Sequence, residues 1–215
     1  MRPPFIIIGM HRSGTSVLTK VLEKSGIFMG VIKDPNYEAM HFLSINQQVM
    51  WKSGYDWYKP GLPPQEHWHA IPARELYREH FRLNGRLASL KQKLRNEDWG
   101  WKDPRNTFTL PMWLAKFPKA KVIALYREEE DIVKSLQKRN QVKGEVQAPE
   151  LDDANYCRQL CQDYQKQAKS YQEPLAENYL ELHYEDLKKH DASAIQALES
   201  FTGNSISANL KRYFH

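Results

Sequence analysis

The sequence predicts an α/β fold with a mostly parallel central sheet and helices on both faces. Two observations lead to this prediction. Short runs rich in β-branched residues alternate along the chain with longer segments whose apolar residues recur at helical spacing. The alternation also continues without an internal repeat or a linker-like stretch, so we expect a single domain over residues 1–215.

The first predicted strand and the first predicted helix are joined by a glycine-containing turn. Residues 5–8 are a short apolar run typical of a buried strand, and apolar residues at helical spacing begin at Val17. Gly9 and Gly14 lie between them. This order directs backbone N–H groups and the positive end of a helix dipole at one point, which favours a bound phosphate or sulfate.

The two glycines have the spacing of the nucleotide-binding P-loop, GxxxxGK[ST], but the lysine of that motif is missing. Thr15 stands at its position, and the loop carries its cation at Arg12. An arginine can bind a phosphate or sulfate through two hydrogen bonds without a metal ion. The loop therefore indicates an anion other than magnesium-bound ATP; the alternative is a turn that only connects a strand to a helix.

The segment after the first helix carries the candidate general bases. Residues 38–51 predict a helix with Glu38 in its first turn, where the helix dipole favours a carboxylate. Glu38 is the candidate general base. The alternative is that its carboxylate only interacts favourably with the helix dipole. His41, one turn further on, and Asp34, in the preceding loop, are the other candidates for the base.

Residues 53–72 predict a long loop, because their prolines exclude a long helix or a central strand. Its aromatic rings lie beside His67 and His69, and they either line an acceptor pocket or fix the loop to the surface. Residues 73–94 then predict a helix whose basic side chains form a solvated face.

A short strand is predicted next, at the end of which Lys102 and Asp103 begin a charged turn. The helix predicted over residues 106–117 contains Pro111, which we place in the first turn, where proline is tolerated. The apolar run at residues 120–126 predicts another buried strand.

Arg127 directly follows that strand, and a helix is predicted from about residue 129. Ser135 and Arg139 lie four residues apart on the face of this helix that continues from Arg127. Charged residues at the carboxyl ends of parallel strands point into the ligand crevice of α/β sheets, so Arg127 is a candidate anion contact. The alternative is an ordinary amphipathic helix with a salt bridge between Asp131 and Arg139. This alternative explains the helix but not the position of Arg127 directly after a buried strand.

The remaining chain predicts a long helix over residues 152–171, a strand over 179–184 and a helix over 192–201. We expect the last dozen residues to be a polar tail with a short turn. Cys157 and Cys161 are interpreted as reduced cysteines on one face of the long helix, which favours a cytoplasmic location.

Composition limits the partners of the chain. A net charge of +5 favours anionic ligands, but the charges are too few and too scattered to indicate a nucleic acid. No apolar run is long enough to span a bilayer. No histidine cluster completes a metal site with the cysteines, so no metal ion is expected.

Four patches together resemble the sulfotransferases that use 3'-phosphoadenosine-5'-phosphosulfate (PAPS). They are GMHRSGTS at residues 9–16, WKDPR at 101–105, YREEEDIVKSLQKR at 126–139, and HYEDL at 183–187 with a later Phe-Thr-Gly at 201–203. The third patch is similar to the family pattern of an arginine at a strand end and a serine two turns into the next helix. The resemblance implies the P-loop-like, three-layer fold of that family.

The resemblance also implies roles for residues at matching positions. Lys102 would lie beside the bridging oxygen of the donor, and Glu38 would take a proton from the acceptor hydroxyl or amine. The 3'-phosphate would be held by Arg127 and Ser135. The 5'-phosphosulfate would be cradled by Arg12, which also offsets its charge, and by Ser13, Gly14, Thr15 and Ser16. The chain departs from the family pattern after Arg127, where two glutamates replace the usual proline.

We therefore expect an enzyme that moves a sulfuryl group from PAPS to a small-molecule, carbohydrate, lipid or peptide acceptor, with a homodimer left open. One alternative is a P-loop small-molecule kinase with a degenerate loop, for which Asp103 is the only candidate magnesium ligand. The other is a non-catalytic nucleotide-binding or interaction protein that kept the fold.

Overall fold

A computed structural model describes residues 2–68, 97–142 and 147–214 of the chain. These residues contain a four-stranded sheet in the order β2-β1-β3-β4, in which every pairing is parallel. The strands are β1 (Phe5–Ile8), β2 (Gly100–Lys102), β3 (Lys121–Tyr126) and β4 (Tyr179–His183). The predicted α/β class and parallel sheet are confirmed.

The long helices alternate with these strands as the sequence predicts, and the described residues also contain four short helices that it does not predict. They are α1 (Thr15–Lys24), α2 (Met40–Lys52), α3 (Gln65–Trp68), α4 (Asn106–Lys116), α5 (Glu129–Asn140), α6 (Ala154–Lys169), α7 (Gln172–Leu175), α8 (Tyr184–Lys188), α9 (Ala192–Thr202) and α10 (Ser207–Tyr213). The helix predicted at 73–94 lies outside the described residues, and so does His69.

The central strand β1 is buried on both faces, which explains why its sequence is a continuous apolar run. Ile6 and Ile8 pack in a cluster with aromatic residues of β2, α2 and α4, in which Phe42 and Trp101 stack with their ring centroids 3.9 Å apart. Residues 5 and 7 pack on the opposite face against α1, α9 and α10. Helices thus cover both faces of the sheet.

The prediction of a polar tail at the carboxyl end is wrong, because the tail contains α10. Ile206, Leu210 and Phe214 are each at most 1% exposed and pack in the same cluster as α1. These residues recur at intervals of four, so they lie on one face of a helical segment. The polar residues between them face outward and dominate the composition.

Pro111 lies in the second turn of α4, so its predicted position in the first turn is also wrong. A proline there leaves the carbonyl four residues earlier without its helical N–H donor. That carbonyl belongs to Thr107, and it accepts a hydrogen bond of 3.0 Å from the hydroxyl of Tyr171. A side chain distant in sequence therefore replaces the missing backbone donor.

We expect Tyr171→Phe to lower the free energy of unfolding by about 1–3 kcal/mol, because the Thr107 carbonyl is buried and loses its donor. In a Pro111→Ala background the cost should be smaller, since the alanine restores an N–H within reach of the same carbonyl. Urea unfolding of the four proteins measures this double-mutant cycle. An equal cost in both backgrounds would show that the hydroxyl does not replace the helical donor.

Candidate active site

The turn between β1 and α1 requires glycine at two positions. Gly9 and Gly14 have φ angles of 138° and 93°, in the region that favours glycine. A Cβ atom at Gly9 would lie 2.5 Å from the carbonyl oxygen of Leu125, and one at Gly14 would lie 2.3 Å from the Tyr184 ring. The turn can thus pack closely on β3 and α8 only with glycine at these positions.

A cavity of about 210 Å³ opens beside this turn, where β1, β2 and β3 end. Four cationic side chains and one carboxylate lie in its wall, so the cavity favours an anion. The wall is formed by His11, Arg12, Gly14, Thr15, Ser16, Val17, Asn36, Glu38, Lys102, Pro104, Arg127, Ser135, Arg139 and Tyr184. Among the residues predicted to form the site, Ser13 does not line the cavity, and its side chain is fully buried within the turn.

The two predicted arginines meet on the same side of the sheet. Arg127 Nη1 donates to the carbonyl oxygen of Arg12 at 3.1 Å, and Arg12 Nε donates to Ser135 Oγ at 2.8 Å. Arg127 also lies over the ring of Tyr184, 4.6 Å from its centroid, and its Nη2 donates to Asp131 at 3.3 Å. The first and third motifs therefore form one continuous surface.

Glu38 precedes α2 and is not in its first turn, so that prediction is wrong. Helix α2 begins at Met40 with Ala39 as its N-cap. The backbone N–H of Glu38 donates to Asp34 Oδ1 at 2.7 Å, and the N–H of Asp34 donates to the Glu38 carbonyl at 3.0 Å. These two bonds close a turn before the helix, because an aspartate side chain competes for backbone N–H groups.

Two cations hold the Glu38 carboxylate at the cavity wall. Lys102 Nζ lies 3.2 Å from Glu38 Oε1, and Arg105 Nη1 lies 3.1 Å from Oε2. Lys102 also donates to the carbonyl oxygen of Asn36 at 2.6 Å. The strand end of β2 and the turn before α2 thus place a carboxylate and an ammonium group side by side.

The sequence model of the sulfotransferase family matches residues 3–207 of the chain. The chain belongs to the sulfotransferase family. This confirms the family to which the four motifs pointed. No curated protein sequence matches the chain.

Solved structures similar to this sulfotransferase show the same fold. The sulfotransferase domain from the curacin biosynthetic pathway is 16% identical, with a TM-score of 0.64 over 100% of this chain and 78% of that one. The sulfotransferase domain of the Synechococcus PCC 7002 olefin synthase is 15% identical, with a TM-score of 0.61 over 100% and 78%. Mouse sulfotransferase SULT7A1, complexed with PAP, is 14% identical, with a TM-score of 0.54 over 100% and 65%.

Glu38 of this sulfotransferase is 4% exposed, and its surroundings act on its charge in opposite directions. Burial and the neighbouring Asp103 raise the pKa of Glu38, while Lys102 and Arg105 lower it. The net pKa lies above the ordinary value. A carboxylate with a raised pKa is a stronger base than an exposed one, which suits proton transfer.

His11 lines the cavity of the sulfotransferase, and the sequence analysis gave it no role. Its ring lies 4.6 Å from that of Trp57 and is 8% exposed. Burial, together with Arg105, Arg139 and Lys102, lowers the pKa of His11 well below 6.5, so the imidazole is neutral. Its position inside the loop motif was the one signal in the sequence.

The predicted aromatic loop reaches the site through Trp57. This side chain is 3% exposed, and its ring lies 4.7 Å from the guanidinium of Arg139. Tyr164 donates to the carbonyl oxygen of Trp57 at 2.8 Å. Further along, His67 Nδ1 lies 2.7 Å from Ser53 Oγ, so this contact joins the beginning and the end of the described part of the loop.

Within the three described ranges, no group of three or more histidine, cysteine, aspartate or glutamate side chains could hold a metal ion. The helices in the described part of the chain are all too short or too polar to cross a membrane. Tyr184, in the fourth motif, also lines the cavity and was not among the residues predicted to form the site.

Proposed function

We propose that this sulfotransferase moves the sulfuryl group of PAPS to a hydroxyl or an amine of an acceptor. One observation carries the proposal. Arg12 in the opening turn lines the same cavity as Arg127 and Ser135, and it is hydrogen-bonded directly to each of them. A donor with phosphates at both its 3' and 5' ends needs two such anion contacts within reach of one molecule.

The residues in the cavity wall fit this donor. Arginine N–H groups and the hydroxyls of Thr15, Ser16 and Ser135 are hydrogen-bond donors suited to phosphate and sulfate oxygens. The amino end of α1 lies beside them, where its first N–H groups have no partner within the helix. Arg12, Thr15 and Ser16 would hold the 5'-phosphosulfate, and Arg127 with Ser135 would hold the 3'-phosphate. Ser13 would shape the turn, because its side chain is buried and its backbone N–H donates to the Met10 carbonyl at 3.2 Å.

The chemistry is an in-line displacement, so the protein supplies position and charge more than covalent steps. The acceptor oxygen or nitrogen forms a bond to sulfur as the bond from sulfur to the bridging oxygen breaks. Glu38 takes the proton that the acceptor loses. Lys102 and Arg12 offset the negative charge that develops on the departing 3',5'-adenosine bisphosphate.

The kinase alternative has less support in the structure. Asp103, its candidate magnesium ligand, is fully buried and does not line the cavity. Its carboxylate accepts hydrogen bonds from Asn46 at 2.9 Å and from Arg105 at 3.0 Å. With Thr15 at the position of the P-loop lysine, the residues that bind magnesium and the terminal phosphates of ATP are not brought together.

Calorimetry with 3',5'-adenosine bisphosphate, compared with ADP and magnesium, tests the donor. We expect the bisphosphate to bind more tightly and without a metal ion, and a preference for ADP would support the kinase. Transfer of labelled sulfate from PAPS to panels of small molecules, sugars, lipids and peptides then identifies the acceptor. Binding of the bisphosphate without turnover on any panel would favour a non-catalytic protein.

A further inference from the structure

We propose that Arg105 is a positioning residue that fixes the orientation of the Glu38 carboxylate and supplies its permanent counter-charge. The proposal rests on the proposed function, in which Glu38 takes the proton of the acceptor. Arg105 belongs neither to the loop motif at residues 9–16 nor to the motif that contains Arg127.

The two cations on Glu38 differ in their exposure to the cavity. Lys102 lines the cavity and contacts Glu38 Oε1, whereas Arg105 contacts Oε2 and does not line it. Both side chains are buried, Lys102 at 1% and Arg105 at 7% exposed. One carboxylate oxygen is therefore bonded to a cation of the cavity wall, and the other to a guanidinium that lies outside that wall.

Arg105 is anchored from behind by a chain of buried polar groups. Its Nη1 and its backbone N–H both donate to Asp103 Oδ1 at 3.0 Å. Asn46 Nδ2 donates to the other oxygen of Asp103 at 2.9 Å, and Thr109 and Trp113 each donate to Asn46 Oδ1 at 2.8 Å. This chain links α2, the turn after β2 and α4, so it holds the guanidinium in one position.

The ammonium group of Lys102 is not anchored in this way. Apart from Glu38, its Nζ contacts the carbonyl oxygen of Asn36 at 2.6 Å and Ser16 Oγ at 3.5 Å, and both groups lie at the cavity. A lysine turns on a flexible stem, whereas an arginine fork is rigid. When Lys102 turns toward the donor, Oε1 becomes available for the acceptor proton and Oε2 stays on Arg105.

The charges around Glu38 define what Arg105 contributes. Burial, Asp103 and Asp34 raise the pKa of Glu38, and Lys102 and Arg105 lower it. Without the charge of Arg105, the pKa rises further, so a smaller fraction of Glu38 is ionised at neutral pH. Loss of an opposite charge at this distance moves a pKa by about 1–3 units, and the acid limb of the rate profile should move upward by that amount.

The test compares Arg105→Met with Arg105→Lys in the transfer of labelled sulfate from PAPS to the acceptor found in the panels. In Arg105→Met we expect the acid limb of kcat to move to higher pH by about 1–3 units, with a lower rate at pH 7 than in the wild type. The affinity for 3',5'-adenosine bisphosphate should be unchanged. Arg105→Lys should restore the acid limb but not the full kcat, because it keeps the charge and loses the planar guanidinium whose Nη1 contacts both Glu38 and Asp103.

Arg158→Met is the matched control, since Arg158 lies on α6 and pairs with Glu130 at the surface. It should leave the pH profile and kcat as in the wild type. An unshifted acid limb in Arg105→Met, together with a large loss of rate in Glu38→Gln, overturns the role of Arg105 and leaves the proposed function intact. If Glu38→Gln keeps the wild-type rate, the base in the proposed function is wrong.

A variant that fails to fold does not end the test. If Arg105→Met is unfolded, Arg105→Lys alone decides, because it keeps the buried charge. A lowered kcat with the wild-type acid limb and bisphosphate affinity then supports positioning by the guanidinium. A wild-type kcat in Arg105→Lys overturns it.

Discussion

Glu38→Gln should lower kcat by about 10²–10⁴-fold, the contribution of one positioned general base. Glutamine has the shape of glutamate and cannot take the acceptor proton. It also leaves Lys102 and Arg105 without their shared carboxylate, so we expect the thermal midpoint to fall as well. The affinity for 3',5'-adenosine bisphosphate should be retained, because Glu38 contributes a charge that repels phosphate.

Steady-state rates with PAPS, calorimetry with the bisphosphate and thermal unfolding separate these effects. Glu130→Gln is the control, because Glu130 is exposed on α5 and pairs with Arg158. An unchanged rate in Glu38→Gln would assign the base to His41 or Asp34, and His41→Asn and Asp34→Asn would then be compared. Loss of bisphosphate binding would show instead that the variant disturbs the cavity itself.

Much of the fold can be predicted from the sequence because the sheet is parallel and buried on both faces. Strand β1 is a continuous apolar run and β3 is one after Lys121, as expected of strands that are buried on both faces. Arg12 and Arg127 could be placed together for the same reason. They follow neighbouring parallel strands, whose carboxyl ends lie at one edge of the sheet.

The errors at Glu38 and Pro111 come from side chains that are distant in sequence or that compete with the backbone for hydrogen bonds. Glu38 looked like a first-turn carboxylate, but the Asp34 side chain captures its N–H and delays the helix. Pro111 is tolerated because Tyr171 supplies a donor from a later helix-end segment. Arg105 could not be singled out from the sequence, because its buried contacts lead through Asp103 to Asn46, which is far from both in the chain.

Arg127→Met should weaken the binding of 3',5'-adenosine bisphosphate by about 10- to 150-fold. This is the value of one or two hydrogen bonds between charged groups. The affinity for 5'-AMP, which lacks the 3'-phosphate, should change much less. The ratio of the two affinities is the decisive quantity, because Arg127 also donates to the carbonyl oxygen of Arg12 and so supports the turn. Methionine keeps an unbranched apolar stem over the Tyr184 ring, which limits loss of packing.

Calorimetry with both nucleotides on the wild type, Arg127→Met and Ser135→Ala measures this ratio. Arg158→Met again serves as the control for loss of a surface arginine. Ser135→Ala should lower the same ratio by a smaller factor, since it removes a neutral hydroxyl whose oxygen accepts from Arg12. If Arg127→Met weakens the binding of both nucleotides by the same factor, Arg127 supports only the turn, and other residues must bind the 3'-phosphate. A ratio that falls in both variants would place the 3'-phosphate between β3 and α5, on the surface where the two separated motifs meet.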